Sequence, residues 1–112
     1  MNVIFLPAAQ EELAATAAYL DDRAAGLGAE FVNDVERISA LASTLPKIGH
    51  SLDAIHRRLT LQRFPYNLIY RIGDGSVLVV VAVAHKRRRP GYWRSLHTRS
   101  SSSAGLPQRQ VT

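Results

Sequence analysis

Residues 64–93 read FPYNLIYRI, then GDG, then SVLVVVAVAH, then KRRRPGYW. Two strand-like runs flank a tight turn, and the second ends in a histidine followed by a block of cations. In the first run Phe64, Tyr66, Leu68, Tyr70 and Ile72 fall on one face, with Asn67, Ile69 and Arg71 on the other, which is the period of a strand. Pro65 near its start suits an edge, a first position or a bend. Gly73-Asp74-Gly75 offers the positive φ values that a hairpin turn needs. Val77 to Ala84 is apolar at every position, which predicts a central strand covered on both faces. At His85 the most apolar stretch of the chain meets the most charged one. A rigid strand holding polar groups at its tip is a good base for a site.

Upstream, residues 55–63 read IHRRLTLQR, where Leu59 and Leu61 alternate with Arg58, Thr60 and Gln62. This predicts a half-exposed strand carrying cations. Residues 47–54 are polar and loop-like. Phe31, Val35, Ile38, Ala42 and Leu45 recur at helical spacing, with Glu30, Asp34, Glu36 and Arg37 on other faces. That is an amphipathic helix, and Pro46 stops it. Residues 8–22 predict another helix, with Leu13, Ala17 and Leu20 on one face. Glu11 and Glu12 would sit in its first turn, where the helix dipole favours anions. Two glycines between 24 and 28 separate the helices, and Val3 to Leu6 is a first strand ended by Pro7. The fold class is α+β in the order β-α-α-β-β-β: a small, mostly antiparallel sheet with an αα-hairpin packed on one face. Residues 1–96 form one domain on this reading, and 97–112, HTRSSSSAGLPQRQVT, form a flexible tail.

The chain has 112 residues, the size of one domain. It has no cysteine, which excludes a disulfide scaffold and a thiolate metal site and is compatible with a cytoplasmic location. The start lacks a basic segment of the signal-peptide kind. The longest apolar run is too short to span a bilayer. The net charge of +5 hides an asymmetry. Residues 1–54 carry three Lys/Arg against eight Asp/Glu, a net of −5; residues 55–112 carry eleven against one, a net of +10. One cationic surface aimed at a polyanion, either nucleic acid or an acidic protein segment, follows from that split.

The order of elements, with RFPYNLIYRI followed by VAVAHKRRRPGYW, resembles the RelE/ParE superfamily of bacterial toxins over roughly residues 3–94. The resemblance implies the toxin component of a type II toxin–antitoxin module, often described as plasmid stabilisation. Its implied partner is a cognate antitoxin that neutralises it. RelE-like members cut mRNA inside the ribosome, and ParE-like members block DNA gyrase without being nucleases. An inactive relative kept as an interaction module would share the same fold.

Cleavage of RNA by its own 2′-hydroxyl needs a base, cations around the phosphate and an acid for the leaving oxygen. His85 is the natural base or acid. Arg63, Arg71 and Arg88 would clamp the phosphate, and Tyr92 would be a second acid or base. The sequence leans towards this ribosome-dependent endoribonuclease because these groups could converge on one phosphate. In the alternative, the same residues form a docking surface for gyrase. Arg57, Arg58, Lys86, Arg87 and Arg89 read as cations contacting nucleic acid or an acidic antitoxin segment. Trp93 would offer a stacking surface or, more simply, plug the open face of the sheet. No metal and no cofactor is expected: His50, His56 and His97 have no partners at ligand spacing, and GDG is a turn, not a phosphate loop.

Overall fold

A computed structural model describes residues 1–95. The tail expected over 97–112 lies outside the described residues, as does His97. The apolar run forms the longest strand, β5 (Val77–His85), and both its edges are used. On one side it pairs antiparallel with β4 (Tyr66–Gly73); on the other it pairs parallel with β1 (Asn2–Phe5). β3 (His56–Thr60) lies antiparallel to β4. A two-residue strand, β2 (His50–Ser51), adds the outer edge, and the sheet order is β1-β5-β4-β3-β2. The α+β order expected from the sequence holds, with β2 as a fifth strand inside the stretch read as loop. Two residues are too few to leave a periodic signal. The strand expected over 55–63 stops at Thr60, where the Leu61 amide turns to the Tyr66 carbonyl at 2.9 Å.

The two helices are α1 (Pro7–Arg23) and α2 (Leu27–Thr44). Pro7 opens α1, because a first-turn residue needs no N–H and its φ is already helical. With the helix starting one residue earlier than expected, Glu11 and Glu12 fall just past its first turn. Gly26 makes the link between helices with φ of 87°. Gly28 lets them touch: a Cβ there would sit 2.4 Å from the Ala17 carbonyl oxygen. The inner stripe of α2 runs Phe31, Val35, Ile38, Ala42, and all four are buried. Its expected fifth member, Leu45, follows the helix end and is half exposed beside Ile48 and Ile72, where α2 stops covering the sheet. Asp34, expected on an outer face, is 1% exposed. Its carboxylate takes the Arg63 amide at 2.9 Å and the Arg37 guanidinium at 2.5 Å, so it ties the turn after β3 to α2.

Against this helix pair the sheet presents Leu68, Tyr70, Leu78, Val80 and Val83. The other face presents Ile69, Val79, Val81, Ala82 and Ala84. The alternation slips once. Ile69 pairs with Ala82 and Tyr70 with Val80, so Val81 is an extra residue and it shares the second face with Ala82. At the hairpin the positive φ values fall on Gly75 (71°) and Ser76 (60°); Gly73 is still the last paired residue of β4. Tyr70 carries its hydroxyl into the interior, donating to the Pro46 carbonyl (2.6 Å) and accepting from the Gly49 amide (3.1 Å). This fastens the link between α2 and β2.

Candidate functional site

β5 outruns its parallel neighbour. β1 ends at Phe5, the Leu6 amide makes a last bond to the Val80 carbonyl (3.0 Å), and the chain then turns into α1. Among the described residues no strand borders the tip of β5 on that side. Glu12 of α1 takes part of that place. The Val83 amide donates to its Oε1 at 2.8 Å, and the Tyr92 hydroxyl donates to its Oε2. One carboxylate thus satisfies a ladder amide and holds the segment that follows β5. Burial, the Glu12 hydrogen bond and the Glu12 charge push the Tyr92 phenol well above its ordinary pKa; Arg88, with its guanidinium 3.9 Å over the ring, acts weakly in the other direction.

A second latch lies opposite. Asp53 accepts from the Ile55 amide (2.9 Å), the His56 amide (2.7 Å) and Arg94 Nη2 (2.6 Å), and meets His56 Nδ1 at 3.1 Å. The Arg94 guanidinium first, and then the two amides, hold the Asp53 carboxyl far below the usual carboxylate range. The His56 ring rests against Trp93, with centroids 4.6 Å apart, and Arg94 covers Trp93 at 4.3 Å.

Between the latches the cationic segment is folded into a strap. The Lys86 amide donates to the Pro65 carbonyl (2.9 Å), the Arg88 amide to the His85 carbonyl (3.0 Å), and the Tyr92 amide to the Arg89 carbonyl (3.2 Å). The Arg87 amide donates to His85 Nδ1 (3.0 Å), and among the described residues Nε2 of that ring takes no hydrogen bond. His85 itself stands edge-on to Tyr66, with centroids 4.9 Å apart. Gly91 turns the strap back with φ of 79°. The side chains of Lys86, Arg87, Arg88 and Arg89 are exposed. Two clefts flank them. One, about 210 Å³, opens between α1 and the strap and is lined by Glu12, Tyr66, His85, Arg88 and Tyr92. The other, about 230 Å³, opens on the second sheet face, where Arg58, Lys86, Arg88 and Arg89 rim a floor of Ile69 and Ala84.

Of the five residues that phosphate chemistry would need together, the structure brings together His85, Arg88 and Tyr92 and leaves two apart. Arg63 lies on the turn at the same end of the sheet, but its guanidinium pairs with Glu30 (2.8 Å) and lines neither cleft. Arg71 sits five residues along β4 from Tyr66, about 17 Å at the rise of a strand, and lines neither cleft. Arg57 turns to the Gly49 (2.8 Å) and Lys47 (3.2 Å) carbonyls, so it serves the loop before β2. Trp93 is 4% exposed and closes the second sheet face; a ring so enclosed has no face to offer a base. Arg58, Lys86, Arg87, Arg88 and Arg89 make no ion pair among the described residues.

Neither Glu12, read from the sequence only as a helix-dipole acid, nor Asp53 is among the site residues that the sequence points to. Glu12 had a signal: it follows Ala9 by three residues and precedes Thr16 by four, so it stands on the inward stripe of α1, where an acid is out of place. Asp53 had only the general aptitude of aspartate for bonding amides two residues on. Among the described residues no group of three or more His, Asp or Glu could hold a metal ion, and no helix is long and apolar enough to cross a membrane.

Residues 3–90 match a family model described as the ParE toxin of type II toxin-antitoxin system, parDE. No curated protein matches the chain. Among solved structures, one described as the chromosomal ParDE TA system from P. aeruginosa is similar in fold, with a TM-score of 0.55 and 18% identity, over 76% of this chain and 95% of that one.

Proposed function

This chain belongs to the ParE toxin family of type II toxin-antitoxin systems, and on that premise we propose that it stops growth by docking on DNA gyrase and does not cut RNA. The observation that carries this reading is the employment of Tyr92. Its hydroxyl proton is committed to Glu12 and its pKa is raised, so as an acid it gives up that proton reluctantly and as a base it has no lone charge to offer. Arg63 and Arg71 point elsewhere, and with His85 Nδ1 accepting from the Arg87 amide a neutral ring carries its proton on Nε2 and offers no lone pair there as a base. What remains is a rigid cationic surface with few groups free for proton transfer, which suits docking better than phosphoryl chemistry. Its target would place it in the cytoplasm. Its antitoxin would lay an acidic segment over the same basic face; affinity that stays constant between low and high salt would argue against that arrangement.

Inducible expression in a bacterium, with pulse labelling of DNA and protein synthesis, tests the docking reading. DNA synthesis should stop first, with double-strand breaks. His85→Ala should keep growth inhibition within about tenfold of the wild type, whereas removal of a general acid or base costs about 100- to 10,000-fold. Protein synthesis stopping first, and surviving only with His85 intact, would restore the endoribonuclease.

A further inference from the structure

We propose that the strap and Arg58 grip the phosphate backbone of duplex DNA, so that the protein holds DNA and its protein target at once. The inference rests on the docking reading and extends it by naming what the cations hold. Three observations carry it. First, Arg58, Lys86, Arg87, Arg88 and Arg89 stand on one end of the sheet with no acidic partner among the described residues. The only acid after residue 54 is Asp74, in the turn between β4 and β5 at the opposite end of the hairpin. Surfaces for nucleic acid carry a much larger excess of positive charge than surfaces for proteins, and Glu12, which lines a cleft with Arg88, is spent on the Val83 amide and the Tyr92 hydroxyl. Secondly, four of the five are arginines, whose planar forks match phosphate oxygens in pairs.

Thirdly, the strap is ordered before any ligand arrives. Its amides are spent on Pro65, His85 and Arg89, its far end is latched by Glu12 and Asp53, and Trp93 is its anchor. A loose basic tail would lose backbone entropy on binding; this one has lost it on folding. Clustered like charges also repel one another in the free protein, and a polyanion relieves that repulsion.

The test is fluorescence anisotropy of the full chain with a labelled duplex of about 20 base pairs across a range of salt. The double reversal Lys86→Glu/Arg89→Glu is compared with Arg23→Glu/Lys47→Glu, which changes net charge equally on exposed residues away from the strap. Far-ultraviolet circular dichroism and urea midpoints confirm that both variants fold. The strap reversal should weaken duplex binding by about 30-fold or more and lower the slope of log K against log salt by about two contacts' worth; the control should stay within about threefold. Equal losses in the two variants would reduce the effect to bulk charge and overturn the grip. So would a strap reversal that weakens binding of a poly-glutamate peptide while sparing the duplex, since the surface would then be a peptide site. If the strap reversal loses duplex binding and still arrests DNA synthesis as the wild type does, the grip is no part of the toxic action and the docking reading stands alone. Protein synthesis arresting first in the wild type would reject the docking reading, and the anisotropy would still decide the grip.

Discussion

The two faces of β5 are closed in different ways. On one, α1 and α2 lay a continuous apolar stripe over Leu78, Val80 and Val83. On the other, two aromatic side chains, Tyr92 and Trp93, cover Val79, Val81 and Ala82, and they are kept there by the carboxylates of Glu12 and Asp53. Area holds the first face; a few polar bonds hold the second in register. The first kind of closure is stable and indifferent to ligands. The second is a short strap whose backbone is fixed and whose exposed Lys86, Arg87, Arg88 and Arg89 side chains make no ion pair among the described residues.

The largest effect should come from the helix-covered face. Phe31 is fully buried and meets Phe64 and Tyr66 edge-on, with centroids 5.3 and 5.0 Å away. Phe31→Ala should cost about 3–5 kcal/mol, a large share of the stability of a domain this size. Urea denaturation measures it. A cost under about 1 kcal/mol would mean that the helices are not what closes this face, and the contrast between faces would fail.

Glu12 comes next, because it joins the two closures. Glu12→Ala leaves the Val83 amide and the Tyr92 hydroxyl without their acceptor, at about 1–3 kcal/mol. Glu12→Gln keeps an oxygen for Val83 and should recover most of the loss. Alkaline titration adds a second readout. The Tyr92 phenol has a raised pKa in the fold, so its contribution is fully present below the ordinary tyrosine value and is lost as pH rises from there towards the higher folded value; Tyr92→Phe should flatten that alkaline limb. Amide exchange in Glu12→Ala should quicken across the strap well before it quickens in α2. Uniform quickening would show one cooperative unit instead of two differently held faces.

The same contrast explains what the sequence made readable. Where area does the holding, periodicity reports it: the stripe from Phe31 to Ala42 and the unbroken apolar run of β5 were legible because burial on that scale needs many residues in phase. Where single polar bonds do the holding, one residue suffices and leaves no period. Asp34 looked like an outward acid, Glu12 like a helix-dipole acid, and Arg57 like a ligand contact; each is spent on a backbone group that only the folded chain brings near. The bulge at Val81 was hidden for the opposite reason, because a run apolar at every position reads the same in either phase. The site was legible as a composition, cations beside a strand end. Its geometry was not, since nothing in the spacing says that Arg63 turns to Glu30 or that Tyr92 turns to Glu12.

Asp53 sharpens the comparison through pH. Its carboxyl pKa is depressed in the fold, so the stabilisation it contributes is present above the ordinary aspartate range and drains away as pH falls below about 4 towards the folded value. Acid titration of Asp53→Asn should show a shallower fall than the wild type, and the difference should appear in the fluorescence of Trp93, the chain's single tryptophan, against which His56 and Arg94 lie. A wild-type acid limb unchanged by the substitution would remove Asp53 from the strap's fastenings and leave Glu12 to hold it alone.

The smallest effect is expected at Arg63, and its smallness is informative. Two functions meet in that residue. Its backbone amide is bound by the buried Asp34, which fixes the turn after β3, while its side chain lies 60% exposed in a pair with a half-exposed Glu30. Arg63→Ala keeps the amide and discards only the pair, so stability should change by less than about 0.5 kcal/mol, since long side chains in water gain little from pairing. Growth inhibition should be unchanged too, because the guanidinium lines neither cleft beside the strap. A stable variant that had lost growth inhibition would move the boundary of the working surface around the end of the sheet onto the helix-covered face. The division between a face that holds the fold and a face that meets the partner would then have to be drawn through Arg63 itself.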